Sequence, residues 1–119
     1  MINLKYVLVK SDTKRLCGKI LYRIKSLKDF FNVKKGELGG YIEKIENLSQ
    51  EDNAWVSGNA WVYGNARVSG NARVYGNTRV SGNACVSGDA RVSGNAWVYG
   101  DACVSGLIVT GKQIGRAHV

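Results

Sequence analysis

The chain has 119 residues and a formal net charge of +8, with 45% hydrophobic residues, 15 glycines, three cysteines and no proline. That length fits one domain, and the balance of residue types excludes disorder, collagen and a disulfide-stapled scaffold. No apolar run approaches the roughly 20 residues needed to cross a membrane, and Met1 to Lys10 lacks the apolar stretch of a signal peptide, so a cytoplasmic location is expected. The basic surplus admits polyanions such as nucleic acid or anionic glycans as partners. It is spread along the chain, however: eleven basic and seven acidic residues in 1–52, four Arg and two Asp in 53–106, then Lys112 and Arg116. A dispersed surplus favours a solvated surface over a dedicated polyanion site.

Residues 1–52 hold most of the Lys and Glu and both Phe, so they are expected to form a β-rich N-terminal cap. Lys5 to Val9 and Leu21 to Lys25 read as strands, with turns at Ser11 to Lys14 and Lys34 to Gly36 and a short helical turn over Leu27 to Val33. Gly39 to Leu48 reads as an irregular first coil leading into the segment that begins at Asn53. A cap is needed there because the end of a stacked coil exposes an apolar cross-section and unpaired strand edges.

From Asn53 to Gly106 the sequence is nine consecutive six-residue units of the type NAWVSG, with no insertion. In each unit the Ala (once Thr78) and the Val fall on one side of an extended strand, while Trp, Arg or Cys and then Ser or Tyr fall on the other. Gly followed by Asn or Asp supplies the backbone freedom and local hydrogen bonds of a sharp corner. A helix is excluded, because a Gly every six residues would cost roughly 1 kcal/mol each and the apolar period is not 3.6. No single unit can bury its inward face, so the units must stack.

An aliphatic residue followed four places later by a small one, as in Val56 to Ala60 and Val62 to Ala66, resembles the hexapeptide-repeat family. The resemblance implies an all-β fold: a left-handed parallel β-helix of three 18-residue coils, here 53–70, 71–88 and 89–106, an exception to the usual right-handed crossover. That phasing predicts outward ladders of Trp55, Arg73 and Arg91 on a first face, Trp61, Arg79 and Trp97 on a second, and Arg67, Cys85 and Cys103 on a third. The second would form a cation–π stack. Corner Asn residues would form ladders, with Asp89 and Asp101 both in the last coil. Tyr63, Tyr75 and Tyr99 lie at multiples of twelve residues and would align better in a two-sided coil. The head with KKGELGGYIEKIENLSQ leading into the repeats is similar to bacterial and phage-borne hexapeptide-repeat proteins, some of them called acyltransferases on fold alone.

Residues 107–119 read as an irregular tail. The register slips at LIVTG, and the closing IGRAHV matches one reading frame of a common sequencing adapter, so the natural chain is expected to continue and the last residues to be an artefact. An exposed last coil would invite self-association end to end, and the family resemblance also implies trimers.

Family acyltransferases use a His as general base between subunits, and the one His here, His118, lies in that tail. The related zinc enzymes need three His ligands, which this chain lacks. Cys17, Cys85 and Cys103 have no metal-ligand spacing; Cys85 and Cys103, about 5 Å apart on adjacent rungs, are expected to be free thiols. No phosphate loop is present, and without outward Thr-x-Thr arrays ice binding is not indicated. No catalytic, metal or cofactor residues are therefore assigned. The candidate binding rows are Trp55, Trp61, Arg67, Arg73, Arg79, Arg91, Trp97, Tyr63, Tyr75 and Tyr99, whose variety also fits duplication followed by drift among codons one base apart. The sequence thus points to a non-catalytic solenoid acting as a structural, assembly or binding module, phage-encoded and virion-associated if the resemblance extends that far. The alternatives are an acyltransferase-like protein without its catalytic part, and a polyanion or nucleic-acid binder.

Overall fold

A computed structural model describes residues 4–16, 18–31, 33–105, 108–110 and 113–115, the last two segments as backbone. Two long strands, β1 (Tyr6–Leu16) and β2 (Lys19–Ser26), form an antiparallel hairpin, and β2 pairs with β3 (Leu38–Ile42). A 3-10 turn, Ile45–Asn47, precedes short repeat strands: β4 (Trp55–Val56), β5 (Trp61–Val62), β6 (Arg67–Val68), β7 (Arg73–Val74), β8 (Arg79–Val80), β9 (Cys85–Ser87), β10 (Arg91–Ser93), β11 (Trp97–Tyr99) and β12 (Cys103–Ser105). Strands β13 (Ile108–Thr110) and β14 (Gln113–Gly115) complete the order.

These strands stack as a three-sided parallel β-solenoid. The first face is β4-β7-β10-β13, the third is β6-β9-β12, and the second is β3-β5-β8-β11-β14, which the hairpin extends into a seven-stranded sheet. Partners within the repeats lie 18 residues apart, as in Trp55↔Arg73↔Arg91, Trp61↔Arg79↔Trp97 and Arg67↔Cys85↔Cys103. The three ladders named from the sequence are therefore present, and the twelve-residue tyrosine spacing does not set the coil. Tyr63 and Tyr99 share the second face while Tyr75 lies on the first.

The inward Ala and Val side chains are buried throughout, as are Ile42 and Leu48 below them. Thr78 stands at an Ala position and is also fully buried; its hydroxyl donates to the Tyr75 carbonyl at 2.7 Å, which removes the cost of the polar group. Between rungs the backbone pairs continuously, for example Arg67 N–H to Ala84 C=O at 3.0 Å and Asn71 N–H to Gly88 C=O at 2.8 Å. Corner side chains stack as expected: Asn53 to Asn71 to Asp89 on one edge and Asn65 to Asn83 to Asp101 on another, each Asp accepting from the Asn below. Corner glycines lie so close that a Cβ on Gly70, itself at φ +67°, would stand 2.8 Å from the Gly88 nitrogen.

The solenoid extends past the three expected coils in both directions. Below, Tyr41 pairs with Trp61 and Leu48 bridges Val68, in each case a 20-residue step that makes Gly39 to Leu48 the irregular first coil. Above, the slip at LIVTG takes the form of shortened steps, Arg91↔Ile108 and Trp97↔Gln113, so β13 and β14 continue two of the faces.

Two expectations for the cap need correction. The polar run Ser11 to Lys14 is not a turn: β1 runs through it, and a register shift between Val9 and Thr13 absorbs the extra residues. Asp12 in that run is held by Arg23 (2.7 Å) and Tyr41 (3.0 Å), interactions that outweigh the local turn preference. The described residues of the 27–33 segment are not helical; Phe30 and Val33 pair with each other instead. The turn at Lys34 to Gly36 is present, with Gly36 at φ +90° and Glu37 N–H bonded to Lys34 C=O.

Polar side chains seal the lower end of the solenoid, with Asn47 fully buried and Glu43 and Asp52 half-buried. Asn47 donates to the Gly64 and Ala66 carbonyls (3.2 and 2.8 Å) and accepts from the Glu43 and Lys44 amides, while the Glu43 and Asp52 carboxylates accept from Gly64 N–H (2.8 Å) and Gly70 N–H (2.7 Å). These groups stand where a lower repeat would otherwise supply backbone partners. From the cap, Tyr6 donates to the Ile45 and Leu48 carbonyls, and the Lys5 ammonium donates to those of Asp52 (2.8 Å) and Ala54 (2.7 Å). Lys5 is 1% exposed, and burial, only partly offset by Asp52, lowers its pKa from 10.5 to about 8.

Candidate functional site

On the first face, Trp55 does not belong to an exposed row. It points out of the coil as its place in the repeat dictates, but the cap folds over it: the rings of Phe30 and Tyr6 meet it edge-on at 5.3 and 6.3 Å, and it is 2% exposed. One rung higher, Arg73 is half-buried, with the Phe31 ring 4.4 Å from its guanidinium. Burial first, then the neighbouring charge of Arg91, holds the Arg73 pKa below its ordinary value. Arg91 is exposed, and Tyr75 lies beside this row on the same face. Phe31, Ser57, Arg73, Tyr75 and Arg91 line a hollow of about 290 Å³. A second hollow of about 380 Å³ shares Phe31, Arg73 and Arg91 and is completed by Asn53, Asn71 and Asp89.

The second face carries the expected cation–π contact, with Arg79 stacked 4.1 Å from the Trp61 ring. Trp97 is 41% exposed and packs at 5.5 Å against Tyr99, also on the surface. Tyr63 is half-buried on the same face. Cap residues continue the row downward: Arg23 and Lys14 lie 4.5 and 5.6 Å from the Tyr41 ring, and Lys14 shares a hollow with Trp61 and Arg79. Along this sheet the order from the hairpin upward is Arg23, Tyr41, Trp61, Arg79 and Trp97, with Tyr41 itself buried.

On the third face Arg67 is exposed, and Cys85 and Cys103 are free, partly exposed thiols. Burial and the adjacent Cys103 push the Cys85 thiol up, so it is not an activated nucleophile. Cys17 and His118 lie outside the described residues. Among the described residues no group of three or more His, Cys, Asp or Glu is placed to hold a metal ion, and no helix is long and apolar enough to cross a membrane.

Of the ten row residues, the structure brings Trp61, Arg79, Trp97, Tyr63 and Tyr99 together on the second face and Arg73, Arg91 and Tyr75 on the first. Arg67 stands apart from both rows and Trp55 is enclosed. Lys14, Arg23, Phe31 and Tyr41 were not in the sequence-derived set. Lys14, Arg23 and Tyr41 reach the second face through hairpin pairing, which no repeat period encodes; for Phe31 the available signal was an apolar Phe30-Phe31 pair inside an otherwise polar loop.

Stacked parallel rungs with outward ladders define a β-solenoid repeat protein. Within it, residues 62–76, 66–82, 78–94, 84–100 and 90–106 match the family model of the YdcK beta solenoid repeat. Those segments span β5 to β12, the part of the chain where the 18-residue register is unbroken. No curated protein matches the chain.

Proposed function

We propose that the chain is a rigid, non-catalytic binding module: a left-handed solenoid of hexapeptide units whose second face holds an extended anionic polymer bearing flat rings, single-stranded nucleic acid being the fitting type. The observation that carries this reading is the row Trp61, Arg79, Trp97 and Tyr99, with Arg79 stacked on Trp61 and Trp97 and Tyr99 on the surface one rung beyond. Exposed rings stack bases or sugars without regard to sequence, and interleaved Arg and Lys neutralise the charged backbone. Continuous rung pairing keeps the row straight, so the binder needs no reorganisation. The left-handed wind is supported by the small-residue and valine pattern of the repeats, and the net charge of +8 favours the encounter.

Fluorescence anisotropy with a labelled oligothymidylate tests this. If Lys14 and Arg79 meet phosphates, the log–log salt slope should be about −1.4. Trp97→Ala should weaken binding by at least about tenfold, because stacking on one ring is worth about 1–3 kcal/mol. No binding at low salt, or binding insensitive to both salt and Trp97→Ala, would overturn the proposal. Stronger binding to an acidic polysaccharide than to the oligonucleotide would replace nucleic acid as the ligand.

A further inference from the structure

The first face carries a separate feature that a polymer row on the second face leaves unexplained. Arg73 and Arg91 are register partners on adjacent rungs, so two guanidinium groups stand side by side. Behind them lie two more cations of the cap, Lys5 and Lys28, close enough that Lys28 and Arg73 both help to depress Lys5. Like charges crowded into a partly buried cleft repel one another, an arrangement that an oxyanion relieves and that water relieves less well.

The cleft also has an aromatic wall held at a conformational cost. Phe31 adopts φ +48°, the left-handed region that disfavours a bulky side chain, yet it is 72% exposed and so gains little from burial. This conformation holds its ring over Arg73 at the mouth of the two hollows, with Tyr75 on the other side. The acid at the rim, Asp89, already accepts from Asn71 at 3.2 Å, and Glu37 acts on Arg73 from the cap. Asp52 acts likewise on Lys5, so the balance that matters is at the mouth, where the described lining residues set Arg73 and Arg91 against Asp89.

We infer that this cleft between Phe31 and the first face binds a small ring-bearing oxyanion, a phosphate monoester or carboxylate, with Arg91 and Arg73 on the oxyanion and Phe31 stacked on the ring. Arg91 provides the planar fork that matches such a group two bonds at a time. Phe31 supplies preference for a ring over a bare ion.

The test is NMR titration of the full chain, following the Arg91 side-chain N–H and Phe31 ring signals. The probes are inorganic phosphate, adenosine monophosphate, adenosine and benzoate. Adenosine monophosphate should give saturable shifts at both residues and bind more tightly than inorganic phosphate, while adenosine should bind weakest. A tighter benzoate would identify the carboxylate as the source of the oxyanion. Arg91→Ala, at an exposed position, should weaken the anions at least about tenfold, and Arg91→Lys should recover only part of that loss. Phe31→Ala should abolish the preference for adenosine monophosphate over phosphate. Absence of saturable shifts for every anion, or equal affinity in Arg91→Ala, would overturn the inference. Trp97→Ala should change none of these results, so failure here and failure of the second-face proposal can be told apart.

Discussion

Trp55 and Trp97 occupy the same position of the same six-residue unit, so the repeat pattern alone makes truncation equivalent at the two sites. The structure makes it unequal. Trp55 is closed over by Phe30 and Tyr6 and is 2% exposed, whereas Trp97 is 41% exposed and touches chiefly Tyr99. A tryptophan side chain buries about 150–250 Å², and at about 25 cal/mol/Å² this represents about 4–6 kcal/mol. Trp→Ala in a core costs about 3–5 kcal/mol when the site cannot collapse. Trp55→Ala should therefore lose about 4 kcal/mol, and Trp97→Ala about 1 kcal/mol for its partial packing. Trp55→Phe should cost far less than alanine, because the Trp55 indole N–H is buried with no hydrogen-bond partner and its removal offsets lost contact area. Urea unfolding followed by far-ultraviolet circular dichroism measures all three. Equal losses for Trp55→Ala and Trp97→Ala, within about 0.5 kcal/mol, would refute the claim that the cap folds over the first rung.

Lys5 gives a pH dependence of definite sign. Below about pH 8 both folded and unfolded chains carry its proton and the full cost of burying the ammonium stands; between about 8 and 10.5 the folded chain releases the proton first, so stability rises with pH, by up to about 3 kcal/mol. Burial, reinforced by Glu46, raises the Tyr6 pKa, so its contribution is present below about pH 10 and lost above it, setting an upper limit to the rise. Urea midpoints from about pH 7 to about pH 10 should climb in the native chain and stay flatter in Lys5→Met. Gly70→Ala should destabilise by at least about 2 kcal/mol by the same method, since the new Cβ meets the Gly88 backbone and the residue must hold φ +67°. Asn47→Ala removes all four hydrogen bonds of a fully buried amide and should cost about 2–4 kcal/mol, with amide exchange rising first at Glu43 and Lys44.

The parts of the fold legible in the sequence are those a period can encode. Ala and Val at fixed spacing dictate the inward side, and Gly-Asn the corners, so the repeat ladders and the Asn stacks were readable residue by residue. The cap was readable only in part: its two strands, the turn at Lys34 to Gly36 and the irregular first coil were, whereas its packing depends on partners distant in sequence. Asp12 leaves its expected turn for Arg23 and Tyr41, and Phe30 leaves a helical reading for Trp55. The same pairing decides which outward residues can meet a ligand. It covers Trp55 and adds Lys14 to the second face, and it brings Phe31 over Arg73. A period of six records direction from the coil axis, whereas accessibility depends on what else packs there.

The three-sided 18-residue register underlies the enclosed Trp55, the second-face row and the first-face cleft alike. Scalar couplings across hydrogen bonds, measured by NMR, report it directly. The structure requires couplings from Arg67 N–H to the Ala84 carbonyl, Arg73 N–H to Ala90 and Arg79 N–H to Ala96. Couplings from Arg67 N–H to Thr78 and from Arg73 N–H to Ala84 would instead establish a two-sided coil with its tyrosines aligned, and would contradict the three-sided fold.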